Sequence, residues 1–263
     1  MNELYRHQPE LIIVGDETLE TLEGIDENRE KWQTYSFNGV TVPRMSEILK
    51  AIIGRDYLIN YALRCRDYYS ESSQTLYIGT TVHEMIDRYL TVGEVDLSSF
   101  NFMNDDILKK CMKAYTNFTR WYEDKIAEGY SIEVLGIEKE VVCPWYGGTI
   151  DCIMKITDAN KISKTYIVDF KTSNKISMEY LIQTYGYMWA TKWYNTNVVN
   201  EYPDIDGIGI IRIDKKYKTY HDLFISSGDL NSIINIHNGF VSALYWFYHQ
   251  INLDWIVKNF TRK

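Results

Sequence analysis

A chain of 263 residues with 45% hydrophobic content can bury a full core, so one large domain, or one with a helical annex, is expected. Apolar runs fall short of the ~20 residues that cross a bilayer, and residues 1–10 are too polar for a signal peptide, which together predict a soluble, intracellular protein with no membrane partner. A net charge of −8 argues against extensive wrapping of duplex nucleic acid, yet it leaves local phosphate sites open, because carboxylates gathered in a metal site are neutralised by the cation.

In chain order, residues 1–34 are polar with one short apolar run, Leu11-Ile12-Ile13-Val14, and read as an accessory arm ahead of a single domain over 35–263. Residues 35–42 surround Asn38-Gly39, a dipeptide that favours the left-handed turn of a tight hairpin. Pro43 then opens a helix whose apolar face is Met45, Ile48, Leu49 and Ile52, and a second helix is expected over 56–68. The spacing of Val82, Met85, Ile86, Tyr89 and Leu90 predicts a helix over 76–90, with Glu84, Asp87 and Arg88 facing outward. His83 lies at the border of that stripe, where two readings are open, a satisfied structural histidine or a residue looking into a site. A long amphipathic helix over 105–128 presents Ile107, Leu108, Cys111, Tyr115, Phe118, Trp121 and Tyr122 on one face and completes a helical insertion over 43–128.

Strand character returns over 131–143, where Glu138 and Glu140 share a face; Glu140 reads either as an outer metal or water contact or as an exposed carboxylate. Residues 145–156 look like a turn feeding a second strand with Asp151 near its start, and the polar segment 157–164 has the composition of a hairpin loop. The third strand, Tyr166-Ile167-Val168, runs straight into Asp169-Phe170-Lys171-Thr172. Side chains alternate along a strand, so Asp169 and Lys171 project to one side. Burying a carboxylate and an ammonium together is expensive unless they are paired or bind something. Alone, such a triplet occurs by chance in many chains and reads first as an edge-strand ion pair. Pairing of the second and third strands would set Asp151 beside Asp169, and two carboxylates with a lysine suit metal-assisted phosphodiester hydrolysis.

Residues 177–194 read as a helix with Met178, Leu181, Ile182, Tyr185, Met188 and Trp189 on a core stripe. Gln183 and Tyr187, four apart, fall on another stripe with Tyr180 and Thr191, where an amide and phenols can face a ligand. Two more strands are expected over 208–213 and 219–225, joined by a Lys-rich turn that could meet DNA, before a closing helix over 230–251. Lys109, Lys110 and Lys113, and Arg212 with Lys215, Lys216 and Lys218, form basic groups readable as solvated faces or as phosphate tracks. The predicted fold class is α/β of the α+β kind, a central mixed sheet flanked by helices.

The order Gly148 and Asp151, then Asp169-Phe170-Lys171-Thr172, then Gln183 through Tyr187, with His83 in Gly79-Thr80-Thr81-Val82-His83-Glu84 on an earlier helix, resembles the RecB-type branch of the PD-(D/E)xK nuclease superfamily. The segment 39–49 is also similar to an N-terminal signature of phage exonucleases and of the mitochondrial genome-maintenance exonuclease, departing from it at Arg44-Met45-Ser46. The resemblance spans roughly Val40 to Tyr187. It implies a restriction-endonuclease-like core in which His83, Asp151, Asp169 and the Phe170 carbonyl ligate Mg²⁺ or Mn²⁺, with Lys171 as the catalytic lysine. By the same resemblance Glu140 is a further acidic contributor, while Gln183, Tyr187 and Thr172 support the site or the DNA. Some relatives carry an iron–sulfur cluster on one early and three late cysteines, but here Cys65, Cys111 and Cys143 are followed by none later than Cys152, so no cluster is expected. The implied activity is metal-dependent DNA exonuclease action on single strands or ends, in phage or replication and repair processing. Alternatives are a structure-specific endonuclease on the same core and a non-catalytic DNA-binding module.

Overall fold

The computed structural model describes residues 35–52, 68–100 and 103–260. The expected arm over 1–34 and nearly all of the expected helix over 56–68 lie outside the described residues. Asn38 and Gly39 take φ of 50° and 83°, the left-handed pair a two-residue hairpin needs, and join β1 (Tyr35–Phe37) to β2 (Val40–Val42). Helix α1 (Met45–Ile52) follows, and at its start the Arg44 N–H donates to Glu47 Oε2 at 3.0 Å, the returning half of a capping box.

Helix α2 (Tyr68–Val92) begins earlier than apolar spacing predicts and stops at Gly93, whose φ of 87° and bond to the Tyr89 carbonyl close the last turn. Asn104 caps α3 (Asp105–Ala127) by accepting the Asp106 N–H at 2.9 Å. Strands β3 (Ser131–Cys143), β4 (Tyr146–Thr157) and β5 (Ser163–Lys171) form an antiparallel meander. Helix α4 (Met178–Asn197) crosses over to β6 (Gly207–Ile213), which pairs parallel with β5, and β7 (Tyr220–Ser226) adds antiparallel to β6. Helix α5 (Leu230–Phe260) closes the described chain and runs further than the 230–251 expected.

The five-stranded mixed sheet has the order β3-β4-β5-β6-β7 and is flanked by helices, so the α+β class expected from sequence is the one observed. One core lies between the sheet and α1, α4 and α5, built on Met45, Ile48, Tyr146, Ile150, Met188 and Phe240. The other lies under α2 and α3, built on Val82, Met85, Phe118, Trp121 and Phe170. Strand β5 feeds both cores by simple alternation, with Ile167 in the first and Val168 and Phe170 in the second. Strand β6 is buried at every position, as befits a strand with a parallel neighbour and helices on both faces.

One departure from the expected stripes concerns Met178. It is 77% exposed at the first turn of α4, while the buried residues of that helix run from Thr184 to Thr191. Because α4 is enclosed on several sides, its buried surface is a band rather than a single stripe.

Candidate metal centre

The C-terminal end of β5 delivers Asp169 and Lys171 to the same side, as pleating requires. Asp169 is 3% exposed, and Lys171 Nζ stands 2.8 Å from each of its carboxylate oxygens. The hydrogen bond is directed to Oδ1, while Oδ2 is buried and accepts none. Burial lifts the Asp169 carboxyl to about 6, Lys171 opposes that rise, and the Asp151 carboxylate adds to it. For Lys171, burial works against the charged form, but the Asp169 and Asp151 carboxylates outweigh it and hold the ammonium above its ordinary value. Its charge also sits 4.9 Å from the centre of the Tyr180 ring, a cation–π contact.

Phe170, between the two charged residues, ties three elements together through its main chain. Its N–H donates to Asp151 Oδ2 at 2.8 Å, and its carbonyl accepts from His83 Nε2 of α2 at 2.9 Å. His83 Nδ1 is then the ring atom facing Asp151 Oδ2, at 3.6 Å. The four residues His83, Asp151, Asp169 and Lys171 expected together therefore do converge, at the C-terminal end of the central strand β5. The Phe170 carbonyl, expected as a metal ligand, is occupied by the His83 hydrogen bond.

The acidic residue of β3 that joins this group is Glu138, which corrects the expectation for Glu140. One ligand atom each from His83, Glu138 and Asp151 lie within 4.8 Å of one another. Glu140, exposed as Glu138 also is, pairs with Thr149 and contributes its carbonyl, which accepts from the Tyr202 hydroxyl at 2.7 Å. The reason is register. Cys143 pairs with Tyr146 across a two-residue turn, so Ile137 faces Cys152, Lys139 faces Ile150, and the residue between them stands opposite Asp151. Glu138 also has a φ of 47°, which turns the strand locally. Counting back from a tight turn at Pro144-Trp145 would have found it.

Asp87 is likewise not outward-facing. It lies one helical turn beyond His83, which puts the two on one face of α2, and its buried Oδ1 accepts no hydrogen bond. Burial, with the Glu138 and Asp151 carboxylates, raises it to about 7 against a lowering by His83. Glu138 itself is raised by burial and by Asp151.

The supporting residues also assemble. Gln183 Nε2 donates to the Tyr187 hydroxyl at 2.9 Å, and Tyr187 is buried, which together with nearby Asp169 and Asp151 raises its phenol. A Cβ at position 148 would fall 2.2 Å from a Tyr187 ring carbon, so only glycine lets β4 pass under that ring. Thr172 Oγ1 lies against α2, 3.8 Å from where a Gly79 Cβ would stand.

Asp87, Glu138, Asp151 and Asp169 thus gather around a single lysine and a histidine. Two buried carboxylate oxygens, on Asp87 and Asp169, accept no hydrogen bond. A surplus of hard oxygen donors with one imidazole fits Mg²⁺ or Mn²⁺. Among the described residues Cys111, Cys143 and Cys152 are buried free thiols, each with its thiol raised first by burial.

No protein-family model matches the chain, and no curated protein matches it. A solved structure described as the crystal structure of SSO0001 is similar over 63% of this chain and 74% of its own, at 11% identity and a TM-score of 0.23, a likeness too low to carry an argument. No helix among the described residues is long and apolar enough to cross a membrane.

Proposed function

We propose that this chain is a metal-dependent deoxyribonuclease on a restriction-endonuclease-like core, acting on single-stranded DNA or DNA ends. The observation that carries the reading is the meeting of His83, Asp151, Asp169 and Lys171 around the Phe170 main chain. His83, Asp151 and Asp169, with Glu138 adjoining, would hold Mg²⁺ or Mn²⁺, which when bound neutralises phosphate charge and makes water more acidic.

The chain's own residues divide the remaining work. Asp169 keeps Lys171 protonated and uses one of its three N–H donors, leaving others to orient a water or a phosphate oxygen. The Tyr180 ring limits where that ammonium can swing. Tyr187, braced by Gln183 and seated over Gly148, walls the site from the α4 side. His83, with Nε2 committed to the Phe170 carbonyl, holds α2 and β5 in register.

Purified protein incubated with end-labelled linear single-stranded DNA, linear duplex and circular single-stranded DNA is the test. Loss of linear single strands in Mg²⁺ or Mn²⁺ but not in EDTA, with circles spared, is the expected result. Cutting of circles would make the protein an endonuclease on the same centre, and inertness of every substrate with every metal would sink the hydrolytic reading.

A further inference from the structure

An acidic chain, with 28 basic and 36 acidic residues, gathers cations in one place away from the carboxylate cluster. A groove of about 930 Å³ between α3 and the β6–β7 turn is lined by seven cationic side chains and one carboxylate, Asp105. Lys109, Lys110 and Lys113 come from the first turns of α3; Lys215, Lys216 and Lys218 come from the turn, and Arg120 closes the far end.

The groove is built rather than incidental. Asn117, 1% exposed, donates to the carbonyls of Asp214 and Tyr217 at 2.7 Å each, and Asp214 Oδ1 accepts the N–H groups of Lys216 and Tyr217 at 2.7 and 2.9 Å. Lys113 Nζ donates to the Lys216 carbonyl at 2.9 Å, so helix and turn are fastened together. Burial and the neighbouring Lys216 and Lys110 push Lys215 below its ordinary value, the mark of cations crowded without enough acid to balance them. Between Lys216 and Lys218, Tyr217 has its backbone pinned at both N–H and carbonyl while its side chain is 68% exposed. An exposed ring on a tethered backbone, flanked in sequence by Lys216 and Lys218 of the groove, matches how single strands are held, phosphates in a basic groove and a base on an aromatic platform.

The turn that lines the groove follows β6, the strand paired with the Lys171 end of β5. Lys171 pairs with Arg212 in the parallel β5–β6 register, so both strands end at the same edge. Arg212, 5% exposed, donates to the carbonyls of Ser173 and Asn174 and to Asp214, joining the segment after Lys171 to the turn that carries the lysines. At ~3.3 Å per residue the turn starts roughly 10 Å from Lys171.

We propose that this groove binds the backbone of a single-stranded nucleic acid, with Tyr217 stacking on a base. That the strand is DNA on its way to the carboxylate cluster rests on the nuclease reading; the preference for a single strand does not.

The experiment is fluorescence anisotropy in EDTA with a labelled 15-nucleotide oligothymidylate and a 15-base-pair duplex, across a salt series. In Lys109→Glu/Lys218→Glu, both at exposed positions, single-strand affinity should fall about tenfold or more, and the salt slope should drop by roughly 1.4, two contacts at ~0.7 each. Tyr217→Ala should weaken the single strand roughly five- to hundredfold without changing that slope. Affinities within twofold of the parent in both variants, with unchanged circular dichroism, would overturn the groove. Duplex binding equal to single-strand binding would overturn the choice of occupant. If no metal supports cleavage while these variants still lose binding, the nuclease reading fails alone; if cleavage stands and binding is unmoved, the groove fails alone.

Discussion

Lys171→Ala is expected to destabilise the protein by about 3–5 kcal/mol at neutral to alkaline pH, because it strips the partner from a buried carboxylate. Asp169 is 4% exposed at its side chain and Lys171 19%, so solvent screens little of the pair. The same change should cut phosphodiester turnover by about 10²–10³-fold, the size of a lost donor to developing charge. The pH dependence has a definite sign. Asp169 ionises near 6 in the folded chain against an ordinary 3.8, so the stability tied to its neutral form is complete below the unfolded value and declines as pH rises through 6. Without the lysine the folded value moves higher still, and the deficit relative to the parent should be small at pH 5 and full by pH 8. Urea titrations at the two pH values check this. The double variant Asp169→Asn/Lys171→Met, carrying no buried charge at either position, should regain most of the stability and none of the activity. A deficit of the same size at both pH values would mean that Lys171 packs rather than pairs.

Phe170→Ala is expected to cost about 3–5 kcal/mol, the usual range for deleting a buried phenyl ring. Its side chain is fully buried and meets Phe118 edge-on at 5.4 Å and His83 at 6.1 Å. At roughly 2–4 °C per kcal/mol for a chain of this size class, the midpoint of thermal unfolding should fall by roughly 6–20 °C. The functional consequence is separate from the ring itself. The Phe170 main chain holds both Asp151 and His83, so relaxation of β5 into the cavity would shift two candidate ligands at once and lower Mn²⁺ affinity. Phe170→Leu, which keeps most of the volume, should cost less than ~1.5 kcal/mol and leave metal affinity near that of the parent. Normal Mn²⁺ affinity in a folded Phe170→Ala protein would show that the ligands are held independently of this strand.

The strands of the sheet were legible because their local signals agreed with tertiary demand. Asn38-Gly39, the polar loop before Ser163, and the apolar runs into Asp169 and through β6 each state a turn or a buried strand unaided. Asp151, Asp169 and Lys171 could be placed together from pleating and hairpin pairing, and they stand together. Choosing between Glu138 and Glu140, two residues apart, required the pairing to be counted from the turn at Pro144-Trp145, and the positive φ of Glu138 departs from regular strand geometry at that very residue. Asp87, charged and off the apolar stripe, is expected to face outward, yet it is half-buried. Its carboxyl is raised by burial and by the Glu138 and Asp151 carboxylates of β3 and β4, more than 50 residues further along the chain, which no local pattern reports. The Lys-rich turn was visible as composition, but its closure against α3 depends on Asn117, an uncharged residue on a helix whose sequence advertises only an apolar face.

The carboxylate cluster around His83, Glu138 and Asp151 is the proposed divalent metal centre. Isothermal titration of Mn²⁺ into the metal-stripped protein, beside Asp151→Asn, Glu138→Gln and Glu140→Gln, tests it most directly. Saturable binding by the parent is predicted, with affinity reduced by about tenfold or more in Asp151→Asn and Glu138→Gln and unchanged in Glu140→Gln. Equal affinity in the parent and Asp151→Asn, or no saturable binding by the parent, would contradict it.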